Sequence, residues 1–351
     1  MNRSGYAQAC QDYIFALQKG GYDISLKLLH TNIDRVSVTR ERLVKLEEIT
    51  RPTSDKSLMV YHCIPDMQRR IPCRSKSLGF ATFETHRPPE HWATILNQND
   101  GVIVPSEFNR KVFLQAGVIK PIYYLPHCID DRLYNKDIEP LVKRERFIFL
   151  FVGTWKRRKG WKQLIEAWLK EFDIHDDVEL MIKTDKLSIS QRDIDSVKKE
   201  LGLNKEFAPI SWESRILNEV DLPRLYKSAD CYISSTLGEG FGNCGLQSMA
   251  VGTPVLITDY SGCQEYAKEE TATLIKPNRL IVHSDMDTYP QFSNCVWGNV
   301  EAKEVAFKMR YVLNNRDEIK QKAKVAYQFA HEKFSYEKTV KRFDDIVKSV
   351  L

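Results

Sequence analysis

The run Glu239-Gly240-Phe241-Gly242-Asn243 sets one carboxylate and one amide around two glycines, between a strand-like segment at 231–234 and a helix-like segment at 244–251. Glycine lets backbone approach a ligand closely. The first turn of the following helix offers unpaired N–H groups at the positive end of its dipole, which suits a phosphate. Asn243 is the expected N-cap, and Gly252 followed by Pro254 the expected stop. Glu239 then stands at the carboxyl end of a strand, where open α/β sheets take ligands, and a carboxylate there can grip two sugar hydroxyls. A structural strand-to-helix turn with a solvated glutamate explains the glycine spacing equally well.

A second run, Phe151-Val152-Gly153-Thr154-Trp155-Lys156-Arg157-Arg158-Lys159-Gly160, puts four cations between a strand end and the next helix. Such a loop can neutralise a diphosphate. A solvated basic loop is the commoner meaning of a charge run taken alone. Two phosphate-suited loops in one stretch of chain favour the functional reading of both.

The elements that must position these loops alternate between helix-like and strand-like segments, the pattern of parallel α/β sheets. Residues 5–18 place Tyr6, Cys10, Tyr13, Ile14 and Leu17 on one helical face. Strands are expected at 22–29, 58–64, 79–83, 101–104 and 122–125, and helices at 88–96 and, capped by Ser106, at 107–116. Residues 130–146 are charge-rich and aperiodic and contain Pro140, which marks a linker. Alternation resumes with strands at 147–153, 178–183, 231–234 and 254–257. Helices are expected at 161–172, 191–201, 222–228 and 244–251, and residues 301–351 read as mostly helical. The expectation is two doubly wound domains in series, 1–138 and 139–325, with a C-terminal helix over 326–351 that packs back toward the first.

A length of 351 residues exceeds one comfortable core, which supports two domains. The net charge of +5 suits an anionic ligand or a solvated surface with a slight lysine excess. The cysteines at 10, 63, 73, 128, 231, 244, 263 and 295 form no CxxC pair and no zinc spacing. The start Met-Asn-Arg-Ser-Gly-Tyr has no signal-peptide core, and no apolar run approaches the roughly 18 residues of a membrane span. These features point to a cytoplasmic protein with free thiols.

The residues also resemble a family. The run Leu225-Tyr226-x-x-Ala229-Asp230-x-Tyr232-x-x-Ser235, then Gly238 to Gly242, then Leu246-Gln247-Ser248-Met249-Ala250-x-Gly252-x-Pro254-Val255, looks like retaining glycosyltransferase family four. Further matches are Phe83-Glu84-Thr85 with Pro88-Pro89, Val104 to Asn109, Leu125-Pro126-His127-x-x-Asp130, Gly153 to Gly160, Trp297 and Phe334-Ser335-Tyr336, so the resemblance covers nearly the whole chain. It implies the GT-B fold, two Rossmann-like domains facing across a cleft. It also implies transfer of a hexose or pentose from a UDP- or GDP-type nucleotide sugar with retention of configuration, and no further cofactor. Under it, Glu239 would hold sugar hydroxyls. Gly240 lies in the same motif, and Phe241, Gly242 and Asn243 would offer backbone N–H groups to the sugar or distal phosphate. Lys159 with Arg158 or Arg157 would neutralise the leaving diphosphate, and Gly5 would face donor phosphate and acceptor.

Three departures stand out. The family's second glutamate, eight positions after the first, is Gln247, a neutral and weaker acceptor. The usual arginine after Gly153 is Thr154. The usual histidine near the anomeric carbon is Glu84, which either faces the cleft or anchors the 85–90 loop. The N-terminus also lacks a full strand before Gly5, with only Met1–Arg3 ahead of that loop.

No Asp-x-Asp motif is placed to hold a metal, so a metal-independent reaction is expected. The acceptor is expected to be a saccharide, a lipid-linked sugar or a protein. The cations Arg35, Arg40, Arg42, Lys45, Arg69, Arg70, Arg74 and Lys76 leave open a modified DNA base, as in some viral enzymes of this architecture, which would place the protein in a host cytoplasm. Gln247 and Thr154 also permit a catalytically weak nucleotide-sugar-binding protein. A dehydrogenase is a poorer reading, since no GxGxxG follows a first strand.

Overall fold

The computed structural model describes residues 5–29, 38–51, 57–69, 71, 75–185, 187–283 and 295–351. The first part of the chain runs α1 (Gly5–Lys19), α2 (Arg40–Glu48), β1 (Met59–His62), α3 (Pro65–Gln68), β2 (Ser77–Phe80), α4 (Glu90–Leu96), β3 (Gly101–Val104), α5 (Glu107–Gln115) and β4 (Ile122–Tyr124). Its four strands are parallel and lie in the order β1-β2-β3-β4. Every residue of β2 and β3 is buried. That is why β3 reads as an unbroken apolar run and β2 has no polar alternation beyond Ser77: a parallel sheet is covered on both faces.

The second part runs β5 (Phe147–Val152), α6 (Trp161–Glu171), β6 (Val178–Lys183), α7 (Leu187–Leu201), β7 (Ile210–Glu213), α8 (Asp221–Lys227), β8 (Cys231–Ser234), α9 (Asn243–Ala250), β9 (Val255–Thr258) and β10 (Thr273–Ile275). These six strands form one sheet in the order β10-β9-β8-β5-β6-β7, with each ladder parallel. The chain builds β5, β6 and β7 outward on one side, then returns to lay β8, β9 and β10 on the other. The reversal lies between β5 and β8, and ligands of open α/β sheets bind at such a point. An antiparallel ribbon, β11 (Arg279–His283) with β12 (Cys295–Asn299), precedes the helices α10 (Ala302–Asn314), α11 (Arg316–Phe334) and α12 (Tyr336–Val350).

Phe149, Phe151, Trp168 and Phe172 fill the core on one face of the second sheet, and Tyr226, Met249 and Tyr266 the other, joined by Phe334 at the end of α11. The last helix belongs elsewhere. Tyr336, Phe343 and Ile346 of α12 pack with Tyr13, Ile14 and Phe15 of α1. The chain crosses from one core to the other at Ser335, which bridges to Ile129 in the aperiodic connection between the sheets.

A buried ion cluster ties the same junction. Arg42 is only 6% exposed, so its charge needs partners. Its Nη2 donates to Asp130 Oδ2 at 2.6 Å, its Nη1 lies 3.7 Å from Asp12 Oδ1, and its Nε 3.7 Å from Glu219 Oε1. The Tyr336 hydroxyl donates to Asp12 at 3.2 Å. Burial pushes the Asp12 carboxyl up to about 7 against the pull of Arg42. Four segments, α1, α2, the connection and the loop before α8, thus meet at one guanidinium.

The expected strand at 22–29 is absent. Tyr22 instead caps α1, its N–H bonded to the Leu17 carbonyl, and Leu26 donates to Ile49. The Tyr22 ring stacks edge-on against Phe343. An apolar run with one lateral backbone partner builds no ladder, although its residues suit one. The expected helix at 88–96 begins at Glu90 with Pro89 in the capping position. Met1–Arg3 lie outside the described residues. No helix among the described residues is long and apolar enough to cross a membrane.

Candidate functional site

The basic loop and the glycine loop meet at the sheet reversal. The basic loop follows β5 and closes in a short 3-10 turn over Arg157–Lys159. The glycine loop follows β8 and opens α9. Gly160 brings them together. It has φ of +71°, and a Cβ there would lie 1.8 Å from the Ser235 carbonyl oxygen, so only glycine permits the contact. The Ser235 hydroxyl donates to the Gly160 carbonyl at 2.8 Å.

Glu239 is the centre of the site. Its carboxylate accepts from Lys159 Nζ at 2.5 Å, Arg158 Nη1 at 2.9 Å and the Thr236 hydroxyl at 3.1 Å. Its own N–H donates to Ser261 Oγ at 2.8 Å. Burial raises the carboxyl's pKa, but Lys159 and Arg158 outweigh it and pull it down to about 2. Arg158 is forked. Nη1 also donates to the Gly238 carbonyl at 2.8 Å, and Nη2 lies 3.1 Å from Glu84 Oε1. Desolvation opposes the charge on Arg158, yet Glu239 and Glu84 hold its pKa above the ordinary value. A space of about 30 Å³, room for one water, lies beside Lys159, Glu239, Asn243 and Cys263.

Asn243 is not the N-cap. Gly242, at φ of +91°, caps α9, and Asn243 is the first helical residue. The loop has to turn through the left-handed region to enter the helix, which glycine does without strain. Asn243 Nδ2 instead donates to the Gly5 carbonyl at 3.2 Å. That bond brings Gly5, at the start of α1, to the start of α9 across the cleft.

The loops of the first sheet close the other side. The Ser106 hydroxyl caps α5, accepting from Asn109 N–H at 3.1 Å, and donates to the Gly240 carbonyl at 2.7 Å. A Cβ on Gly240 would lie 2.1 Å from Thr82 Oγ1. Glu265 accepts from the Glu107 N–H at 2.6 Å and from the Tyr124 hydroxyl at 2.9 Å.

The other residues expected in the site fall in and around this frame. Gly153 ends β5, its N–H on the Lys183 carbonyl at 3.0 Å, and Thr154 next to it is exposed. Arg157 is exposed at the start of the 3-10 turn. Phe241 is buried against His127, Tyr266 and Phe334. Gln247 is buried on α9, where its Oε1 accepts from the Tyr226 hydroxyl at 3.1 Å. Sequence reasoning misses Thr236 and Ser261, and it finds Ser106 only as a helix cap. Thr236 is legible as a hydroxyl three residues before the carboxylate. Nothing in the sequence marks Ser261, which packs under the Glu239 backbone at φ of +60°.

The described members of the cation set at 35–76 are divided between the interior and the surface. Arg42 is buried in the ion cluster, Lys45 pairs with Glu41 and Lys76 with Asp100, and Arg40 and Arg69 are exposed. Arg35, Arg70 and Arg74 lie outside the described residues.

Known proteins resemble this chain in sequence and in fold. Residues 146–283 match the family model described as glycosyl transferases group 1. The chain is 22% identical over 293 residues to uncharacterized protein 356 of Sulfolobus islandicus rod-shaped virus 1, covering 78% of this chain and 76% of the relative. It is 26% identical to the mannosylfructose-phosphate synthase of Agrobacterium fabrum over 49% of this chain and 40% of that enzyme. It thus spans three quarters of the viral protein but well under half of the synthase. The Anabaena protein HepE, solved in complex with UDP and glucose, superposes with a TM-score of 0.67 at 13% identity, over 99% of this chain and 97% of that one. The shared fold is GT-B, with its two facing Rossmann-like sheets. The family model falls on the very segment that carries Lys159 and Glu239, and over that segment the chain is similar to the group 1 glycosyltransferases.

Proposed function

We propose that the chain transfers a sugar from a UDP- or GDP-type nucleotide sugar to an acceptor hydroxyl, with retention and without a metal ion. The observation that carries this reading is the meeting of Glu239, Arg158 and Lys159 in front of the α9 N-terminus. Cations and helix N–H groups there face the charge that develops on a departing diphosphate, and such preorganised groups stabilise a transition state more than the ground state. Lys159 and Arg158, with Arg157 beside them, take the diphosphate. Glu239 takes sugar hydroxyls, and the Gly240-Phe241-Gly242-Asn243 backbone takes the sugar or distal phosphate. Gly5, Gly153 and Thr154 line the approach, and Gln247 stands on the nucleoside side. HepE, solved with UDP and glucose, supports a UDP-sugar as the first donor to try.

We assign residues 1–138 to the acceptor side, 139–325 to the donor side, and 326–351 to the segment that leaves the second core and, from Ser335 onward, packs on the first. A saccharide, a lipid-linked sugar or a protein is the proposed acceptor. A DNA acceptor draws less support, because Arg42 of the acceptor-side cations is spent inside the protein.

A thermal-shift panel of nucleoside diphosphates and nucleotide sugars tests the reading. The true donor stabilises the fold in proportion to its affinity, by about 2.7 kcal/mol at a hundredfold excess over Kd. A panel with no shift for any nucleoside diphosphate or sugar would overturn it.

A further inference from the structure

We propose that the Glu84 carboxylate occupies the place of a donor phosphate on Arg158, and that donor binding displaces it. The proposal rests on the donor-site reading above and adds a residue to it.

Charge is the first consideration. Glu84, Glu239, Arg158 and Lys159 form one connected cluster, with contacts of 3.1, 2.9 and 2.5 Å. Two carboxylates and two cations cancel. A diphosphate that arrives with both phosphates ionised therefore meets a cluster with no surplus positive charge, and its affinity depends on one carboxylate giving way.

The two carboxylates are not equally held. Glu239 has two cations, the Thr236 hydroxyl and a backbone anchor at Ser261, and its side chain is 11% exposed. Among the described residues the Glu84 carboxylate pairs with the Nη2 end of the fork, and its side chain is 26% exposed. Glu84 is also the one on the first sheet's side, in the loop after β2, while its partner Arg158 is fixed to the second sheet through Gly238 and Leu237. The Glu84 backbone is pressed against Gly238, where a Cβ would lie 2.5 Å from the Glu84 carbonyl oxygen. The loop thus stays put while the carboxylate alone swings.

A planar guanidinium takes two oxygen ligands in fixed directions, whether carboxylate or phosphate. The Nη1 edge keeps Glu239, which is needed for the sugar. The Nη2 edge, now on Glu84, is left for a phosphate oxygen. Glu84 is a positioning residue that acts on the donor through Arg158. It lowers affinity for any anion at the fork and so weakens retention of the nucleoside diphosphate product.

The test is titration of the purified full chain with UDP and GDP, by calorimetry, in wild type, Glu84→Gln and Glu84→Ala. Thermal unfolding of each variant checks that it is folded. Both variants are expected to bind the preferred nucleoside diphosphate about three- to tenfold more tightly than wild type, since a competing charge is gone. A purely structural anchor would give the opposite sign. Equal or weaker binding in the two folded variants overturns the proposal and leaves the donor site standing. Absence of binding of UDP and GDP in wild type and both variants overturns the donor reading itself.

Discussion

The Ser106 hydroxyl reaches the Gly240 carbonyl at 2.7 Å, so the cap of a helix in the first sheet's half holds the glycine loop of the second. The same oxygen accepts from Asn109 N–H. One side chain therefore both starts α5 and fixes the backbone beside Glu239.

Ser106→Ala is expected to cost about 1 kcal/mol of stability through the lost cap and to lower kcat/KM for the donor about fivefold, the scale of one lost hydrogen bond. Ser106→Thr, which keeps the hydroxyl, should recover most of both. Denaturant unfolding and steady-state kinetics measure them separately. Kinetics unchanged in Ser106→Ala would show that the cleft contact does not position the loop.

Acid stability follows from Glu239. Its folded pKa of about 2 lies below the ordinary 4.5. A depressed carboxylate contributes stability that is complete above the ordinary value and lost as pH falls toward the folded one. Between about pH 5 and pH 2 the wild type should lose about 3 kcal/mol that Glu239→Gln does not lose. Parallel acid-unfolding curves for the two proteins would contradict the buried triad.

Arg42 and Asp12 should behave unequally. Arg42→Leu leaves Asp12, Asp130 and Glu219 buried without their cation, and a cost of about 3–5 kcal/mol is expected. Asp12→Asn should cost under about 1 kcal/mol, because Asp130 still holds Arg42 at 2.6 Å and burial already disfavours the Asp12 charge. Urea unfolding at neutral pH distinguishes them, and equal losses would argue against Arg42 as the organiser of the junction.

Gln247→Glu tests the departure from the family's glutamate pair. The amide oxygen is bonded to the Tyr226 hydroxyl. A carboxylate there keeps that bond and adds a charge-assisted acceptor for ribose hydroxyls. Donor KM is expected to fall about threefold or more, and an unchanged KM would place the ribose elsewhere.

The parts of this site that are legible in sequence are those whose neighbours in space are neighbours in the chain, or whose periodicity repeats. The glycines around Phe241 and the cations at 156–159 fall into this class, as do the buried strands 101–104, 147–152 and 178–183. The rest depends on packing between distant segments. In sequence Glu84 stands between cleft and loop anchor, because its partner Arg158 lies on the other sheet. Arg42 reads in sequence as one of a set of cations, Asp12 and Glu219 carry no sequence signal, and only their joint burial reveals a cluster. The strand expected at 22–29 fails because β-branched and aromatic residues report a fit to a half-buried surface, not the presence of a ladder partner. Asn243 has the residue type of a cap, whereas the backbone has to pass through the left-handed region one residue earlier.

The most direct test of the central claim is turnover of the preferred nucleotide sugar, with acceptor or water, by wild type, Glu239→Ala and Lys159→Ala at saturating donor. Both variants are expected to lose at least about tenfold in kcat, the scale of a lost charge-assisted contact at the reacting centre, while remaining folded by thermal unfolding. Wild-type kcat in both variants would contradict the assignment of this pair as the site of sugar transfer.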